Sequence, residues 1–218
     1  MSKRSYGQYC AVAKALDVVG DRWTLLIIRE LLLAGPRRYT DLRNALPGIA
    51  TNLLAERLRG LEDEGVVRSE AAPPPVATTL YGLTERGRSL EPLVRELGRW
   101  GVPMMAAGPA EGDAFRSHWL SFPVSEFLAD RDPHGPPATI ELRTGEQAVT
   151  VRARGGSVEL VQEACEHPDL VLSAVPRVIV GVLAGALDLA QARALGLRAE
   201  GDEALLQRVA PAAPVISA

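Results

Sequence analysis

The sequence predicts an α+β fold in two parts, a mainly helical N-terminal part with a β-hairpin and a C-terminal part built on an antiparallel sheet. Apolar residues recur at helical spacing through most of the first hundred positions, and strand-like alternation begins near Ile140. A Gly- and Pro-containing break separates the two patterns, and 218 residues suit about two domains of ordinary size. We therefore predict domains at residues 1–107 and 113–218, joined by a linker at residues 108–112.

Two short helices follow one another after residue 37. The first has a cap signal at Thr40 and ends at Pro47-Gly48, because proline cannot continue a helix. The second is predicted over residues 51–64, ends at Gly65, and places apolar side chains on one buried stripe. That stripe consists of Leu54, Leu58 and Leu61.

The opposite face of the second helix is polar. A turn of about 100° per residue places Asn52, Glu56, Arg59 and Asp63 there, with Thr51 at the exposed N-terminal end. Asn can bond adenine and Arg can bond guanine in a bidentate way, whereas carboxylates repel phosphates. A merely solvated face is the alternative. Arg57 lies beside the leucine stripe and is predicted to pair with a carboxylate inside the monomer.

Two strands follow, one beginning at residues 66–68 and the other at residues 79–83, around a proline-rich tip at residues 71–77. Helix, turn, helix and hairpin in this order predict a winged helix-turn-helix that binds double-stranded DNA. Glu70 beside Arg68 and the stiff tip predict weak phosphate contact by the wing. The predicted base-reading residues are Thr51, Asn52 and Arg59. The predicted phosphate-binding residues are Arg37, Arg38, Thr40, Arg43 and Arg68.

Several motifs in this region resemble one family. They are CAVAKALDVVGDRWTLLIIRELL (10–32), RYTDLR (38–43), LPGI (46–49), LAERLRGLEDEG (54–65) and YGLTERG (81–87). In this order and spacing they resemble the HxlR family of bacterial transcriptional regulators, relatives of MarR. The resemblance implies a homodimer on a dyad-symmetric operator, usually a repressor and sometimes an activator. Ala50 departs from it, since a capping serine is common there.

A helix that is apolar on several sides, predicted over residues 23–33, is expected to lie in the core. The first and last helices of this region, predicted over residues 8–19 and 89–106, carry apolar stripes. In the resembled family these helices pack against a second subunit, and we favour this over packing on the chain's own second domain. Residues 1–101 hold 15 Lys or Arg against 12 Asp or Glu, and residues 102–218 hold 9 against 15. The basic half is thus the half that carries the DNA-binding motif.

Cys10 lies near the start of the first helix, with Lys14 one turn on. A helix N-terminus and a nearby cation favour the thiolate, so Cys10 is a candidate redox sensor, as in some members of the resembled family. The alternative, which we favour, is a small apolar filler in a dimer-forming helix. Two cysteines in a chain of cytoplasmic type do not predict a structural disulfide.

Beyond the linker we expect a helix over residues 115–128, strands around Ile140, Val149, Val158 and Val171, and closing helices over residues 176–184, 188–195 and 203–209. Residues 168–209 resemble the closing segment of sterol-carrier-protein domains, in the spacing of Gly185, Asp188, Ala192, Gly196 and Gly201. The resemblance implies an apolar tunnel. The candidate lining residues are Leu120, Phe127, Ile140, Leu142, Val149, Val151, Val178, Ile179, Leu183 and Leu187. A closed core or a purely structural or dimerising domain is the equal alternative.

We therefore expect a cytoplasmic transcriptional repressor that acts as a homodimer, modulated by a small hydrophobic effector or by a thiol switch. The alternative is a hydrophobic-ligand-binding or carrier protein whose winged helix serves mainly for dimerisation. His118, His134 and His167 match no metal-ligand spacing, and no phosphate loop or nucleophile motif occurs, so no enzyme, cofactor or metal is predicted. No apolar run is long enough to predict a membrane span.

Overall fold

The structure is a computed structural model that describes residues 5–72, 78–105, 109–145 and 148–211. It divides into two compact units, residues 1–96 and residues 97–218. Most of the predicted wing tip lies outside the described residues, as do the end of the predicted helix at residue 106 and the first linker residue.

The first unit packs a set of helices around a small sheet. Its elements are α1 (Ala11–Val19), α2 (Thr24–Ala34), β1 (Arg37–Arg38), α3 (Tyr39–Ala45), α4 (Thr51–Asp63), β2 (Val67–Ala71), β3 (Thr79–Leu83), α5 (Glu85–Arg88) and the first part of α6 (Glu91–Gly101), which continues past the unit boundary at residue 96. As predicted, Leu54, Leu58 and Leu61 of α4 are buried. Gly65 follows α4 with φ of 65°, the left-handed conformation that suits glycine after a helix.

The structure corrects three details of the first unit. Helix α3 begins at Tyr39, and the carboxylate of Asp41 accepts the amide of Arg38 at 3.3 Å, so Thr40 is not its cap. Trp23 precedes α2 in a left-handed conformation rather than lying within it. The wing has a third strand, because β1 pairs antiparallel with β3. A two-residue strand shows no periodicity, and only its partner defines it.

The helix predicted over residues 89–106 is divided. Helix α5 is capped by the hydroxyl of Thr84, which accepts the amide of Gly87 at 3.1 Å, and the chain turns at Ser89 before α6 begins. After α6 a 3₁₀ helix, Val102–Met105, contains Pro103. The position of the apolar stripe was therefore predicted correctly. The prediction that one continuous helix carries it was wrong.

The second unit places short helices against one face of a sheet. After a 3₁₀ helix, Ser117–Leu120, its elements are α7 (Ser121–Phe127), β4 (Leu128–Asp130), β5 (Ala138–Arg143), β6 (Val149–Arg154), β7 (Ser157–Val161), β8 (Leu170–Ser173), α8 (Pro176–Leu183), α9 (Leu189–Ala194), β9 (Arg198–Gly201), α10 (Leu205–Arg208) and β10 (Val209–Pro211). The five-stranded sheet has the order β7-β6-β5-β8-β9, and β4 pairs with β10 in a separate ribbon.

The five-stranded sheet is mixed, so the prediction of an antiparallel sheet is wrong. Strands β5 and β8 are parallel, and the segment between β7 and β8 crosses the polar face of the sheet. Two side chains hold this crossing: the buried carboxylate of Glu141 accepts the amide of Cys165 at 2.9 Å, and the hydroxyl of Thr150 donates to the carbonyl of Glu163 at 2.6 Å. Alternation is the same in parallel and antiparallel strands, so sequence does not separate them.

Two predicted helices of the second unit are also shorter than expected. The segment at residues 115–128 becomes the 3₁₀ helix, α7 and β4, with Pro123 in the first turn of α7. The segment at residues 203–209 forms only α10 before entering β10. Gly201 has φ of 113°, and a Cβ there would lie 2.2 Å from the carbonyl oxygen of Asp169, so the close approach of β9 to β8 requires glycine.

Candidate nucleic-acid interface

Helix α4 presents a polar face to solvent because its leucine stripe faces the core. Thr51, Asn52, Glu56 and Arg59 are exposed, in the arrangement that helical periodicity predicts. The Nε of Arg59 donates to the carbonyl of Ala55 at 3.3 Å, so this side chain lies back along its own helix. The face therefore offers hydroxyl, amide and guanidinium groups along successive turns, the functional groups that bond base edges.

The N-terminus of α4 lacks a side-chain cap. Ala50 occupies the capping position and supplies no acceptor for the amides of the first turn. Such amides, at the positive end of the helix dipole, favour an anion. Tyr39 fixes this end, since its hydroxyl donates to the carbonyl of Thr51. Tyr39 was not among the predicted residues, because an aromatic residue at the start of a short helix resembles ordinary core.

The predicted phosphate contacts cluster around β1 and α3. Arg38, Thr40 and Arg43 are exposed, whereas Arg37 is half-buried in β1, opposite Tyr81 of β3. All four belong to one short stretch of chain immediately before α4. They provide positive charge and a hydroxyl donor beside the recognition helix.

The wing is less basic than α3. The Nε of Arg68 lies 3.7 Å from the carboxylate of Glu70, so part of its charge is compensated. Burial raises the pKa of Tyr81 above its ordinary value, and the carboxylate of Glu62 adds to the rise, so its hydroxyl remains protonated at neutral pH. Weak phosphate contact by the wing stays a prediction.

Arg57 pairs inside the monomer, as predicted. One guanidinium nitrogen lies 3.0 Å from the carboxylate of Asp21 and 3.0 Å from that of Glu56. The side chain is 20% exposed, far less than expected for a free surface arginine. Arg57 thus belongs to the support of α4 rather than to its polar face.

Apolar side chains are exposed on two helices. Tyr9 lies just before α1, Val12 and Leu16 lie on α1, and α6 carries Leu97 and Trp100, the latter 68% exposed. The full set of large exposed apolar residues at these two places is Tyr6, Tyr9, Val12, Leu16, Leu93, Leu97, Trp100, Met104 and Met105. Exposed apolar patches mark interaction sites in soluble proteins.

Cys10 is exposed at the capping position of α1. The backbone amide of Ala13, and next that of Val12, lower the pKa of its thiol below the ordinary value, because both can donate to the thiolate. Lys14, predicted to assist, faces Asp17 at 3.7 Å instead. An exposed cysteine fills no space in the core of its own subunit.

The candidate ligand-lining residues lie in the core of the second unit. Leu187 packs against this core and Phe127 is half-buried. The buried members are Leu120, Ile140, Leu142, Val149, Val151, Val178, Ile179 and Leu183. They form one contiguous apolar cluster between the sheet and its helices.

Metal-binding clusters and membrane-spanning helices are both absent from residues 5–72, 78–105, 109–145 and 148–211. In those ranges no three His, Cys, Asp or Glu side chains come together in a way that could hold a metal ion. None of the helices there has both the length and the apolar character needed to cross a bilayer.

Comparison with known proteins decides the family. The HxlR-like helix-turn-helix family matches residues 18–108. The HTH-type transcriptional regulator YvaP of Bacillus subtilis (strain 168) is 38% identical over 87 residues, which are 40% of this chain and 80% of YvaP. The chain belongs to the HxlR-like helix-turn-helix family. Its members among the curated relatives are transcriptional regulators, and the chain shares their DNA-binding winged helix.

Two further HxlR-like relatives are similar over the same share of the chain. The HTH-type transcriptional regulator YodB of Bacillus subtilis (strain 168) is 35% identical over 86 residues, 39% of this chain and 76% of YodB. The solved structure of the redox regulator HypR in its oxidized form has 35% identity and a TM-score of 0.40, and covers 42% of this chain and 94% of its own. The HxlR-like match ends at residue 108, so residues 109–218 lie beyond it.

Proposed function

We propose that this HxlR-like chain is a homodimeric repressor that binds a dyad-symmetric operator in the cytoplasm. The observation that carries the proposal is the exposed polar face of α4, opposite its buried leucine stripe and followed by a wing. In the proposed complex α4 lies in the major groove, where Thr51, Asn52 and Arg59 read bases. Arg37, Arg38, Thr40, Arg43 and Arg68 hold phosphates.

The dimer is part of the proposal because reading two half-sites requires two recognition helices. The exposed apolar side chains of α1 and α6 support it, since leaving Tyr9 and Trp100 in water is unfavourable. Symmetric contacts of this type set the distance between the two α4 helices. A change in that distance would switch binding on or off.

Two inputs are proposed for such a change. The first is a small hydrophobic effector in the predicted 113–218 domain, supported by the apolar cluster of the second unit. The second is oxidation or alkylation of Cys10, supported by its exposure and by the lowered pKa of its thiol. HypR, a relative with 35% sequence identity, is itself a redox regulator.

The test begins with DNA from upstream of this protein's own gene, in a gel shift against random DNA at several salt concentrations. Arg59→Ala should weaken binding to the operator by about 1–3 kcal/mol and relax the preference at one base pair. The same variant should lose little affinity for random DNA. Arg43→Ala should weaken binding to both DNAs and reduce the salt slope by about 1.

Arg193→Ala is the matched control, because this exposed arginine pairs with Glu203 in the second unit. It should change neither DNA affinity nor salt dependence. If Arg59→Ala lost as much affinity for random DNA as for the operator, Arg59 would be a phosphate contact and not a base-reading residue. A dimer that binds no DNA at low salt would favour the alternative of a hydrophobic-ligand-binding protein.

A further inference from the structure

The turn between α1 and α2, residues 20–23, is the most strained described part of the first unit. Trp23 has φ of 81°, the one positive value among the described non-glycine residues. A bulky residue pays about 1 kcal/mol or more for this conformation, so surrounding contacts must hold it. The carbonyls of Asp21 and Trp23 accept amides of α2, at 3.2 Å from Thr24 and 2.8 Å from Ile27.

Two side chains of this turn reach the helix-turn-helix. The ring of Trp23 packs against the turn between α3 and α4, where a Cβ added to Gly48 would lie 3.7 Å from its Cη2. The guanidinium of Arg22 lies 5.6 Å from the ring centroid and helps to orient it. The strained turn thus contacts the segment that leads into the recognition helix.

The second contact is the ion pair of Asp21 with Arg57, in the second turn of α4. Arg57 is 20% exposed, and its Nε is buried without a hydrogen-bond partner in the described structure. The guanidinium is therefore partly desolvated, and its remaining ion pairs determine where it lies. Of its two carboxylate partners, Glu56 belongs to α4 itself, so Asp21 is the one that joins α4 to another element.

We propose that Asp21 and Trp23 are positioning residues that hold α4 in the orientation needed for base reading. An exposed ion pair contributes little to stability, but bidentate recognition of a base tolerates only small displacements of the helix. The inference rests on the proposed function and deepens it. It identifies the α1–α2 turn as the link between the recognition helix and α1, which carries Cys10 and the exposed apolar residues.

The test is a double-mutant cycle on Asp21→Ala and Arg57→Ala, with the charge-exchanged pair Asp21→Arg and Arg57→Asp. Each single variant should lower operator affinity about two- to fivefold, as expected for one exposed ion pair, with random-DNA affinity and salt slope unchanged. The double variant should bind no worse than either single one, and the exchanged pair should recover affinity. Glu91→Ala, which removes an ion pair within α6, is the control and should have no effect.

The proposal would be overturned if the losses of operator affinity in the two single variants added up in the double variant, or if affinity for random DNA fell equally. Failure of the exchanged pair to recover operator affinity would also overturn it. A second measurement needs no DNA: amide hydrogen exchange over residues 55–60 should accelerate in Asp21→Ala and not in Glu91→Ala. If the wild-type protein binds no DNA, the proposed function fails, and hydrogen exchange alone decides whether Asp21 positions α4. Unchanged exchange would show that it does not.

Discussion

The ion pair between Asp130 and Arg208 joins the last residue of β4 to the last residue of α10, next to the β4–β10 ribbon, through largely buried side chains. The Nε of Arg208 donates to one carboxylate oxygen of Asp130 at 2.7 Å, and a second guanidinium nitrogen donates to the other at 3.1 Å. Backbone amides of Asp132 and Gly156 add bonds of 3.0 and 3.4 Å. The side chain of Asp130 has no exposed surface, and that of Arg208 is 11% exposed.

These contacts make stability depend on pH in a predictable direction. Hydrogen bonds from Arg208 lower the pKa of Asp130 from 3.8 to about 2, although burial opposes them. Because the folded pKa lies below the unfolded one, the stabilisation is complete above the unfolded value and is lost as pH falls towards about 2. The fall of the pKa from 3.8 to about 2 corresponds to about 2.5 kcal/mol of unfolding free energy.

The perturbation is Asp130→Asn, which removes the titrating group and leaves Arg208 without its anion. At neutral pH we expect a loss of about 3 kcal/mol, because an uncompensated buried charge remains. Both the loss at neutral pH and its pH dependence can be measured by urea denaturation at several pH values from about pH 6 to about pH 2.5. Pulsed hydrogen exchange in peptides of the second unit reports the unfolding of that unit. Over this range the unfolding free energy of the wild-type protein should fall by about 1.5 kcal/mol more than that of the variant, since part of the stabilisation remains at about pH 2.5.

Glu203→Gln serves as the control, because Glu203 forms an exposed pair with Arg193 in the same unit. The free energy of unfolding of this variant should depend on pH as it does in the wild-type protein. If Asp130→Asn and wild-type protein lose the same free energy on acidification, the Asp130–Arg208 pair does not stabilise the fold as argued.

Three further predictions concern the first unit and the α6 helix. Trp100→Asp should convert the proposed dimer to monomer in multi-angle light scattering at micromolar concentration without loss of helical circular dichroism, and an unchanged mass would exclude Trp100 from the proposed interface. The rate at which Cys10 reacts with iodoacetamide should rise with pH, with a midpoint below the pKa of an ordinary thiol, when the reaction of Cys10→Ser is taken as the background. A midpoint at or above that pKa would contradict the effect of the α1 amides. Leu58→Ala should destabilise the first unit by about 2–5 kcal/mol in urea denaturation, since Leu58 is 1% exposed; a cost below about 1 kcal/mol would mean that the site repacks.

Helical periodicity was sufficient to predict the recognition helix and its two faces. Leu54, Leu58 and Leu61 are buried and Asn52 and Arg59 exposed, because 3.6 residues per turn separates these positions wherever the helix packs. The pairing of Arg57 was predictable for the same reason, although its partner Asp21 was not. Asp21 lies 36 residues away in the chain, and sequence carries no distance between such positions.

The errors fall where local signals are short or ambiguous. Two residues of β1 and three of β4 show no period, and both strands exist through their partners β3 and β10. The predicted antiparallel direction of β8 relative to β5 was wrong, because side-chain alternation is independent of strand direction. Trp23 was placed in a helix by its apolar neighbours, whereas tertiary contacts hold it at positive φ.

The sequence by itself determined the winged helix-turn-helix and the residues on the exposed face of α4, because these depend on local periodicity, turn residues and motif order. The tertiary structure alone decided which groups support that face: Tyr39 at its first turn, Asp21 at its second and Trp23 against the preceding turn. It also decided that Cys10 is exposed and that Asp130 meets Arg208. Burial, pKa and partner choice depend on groups distant in the chain, and folding alone brings those groups together.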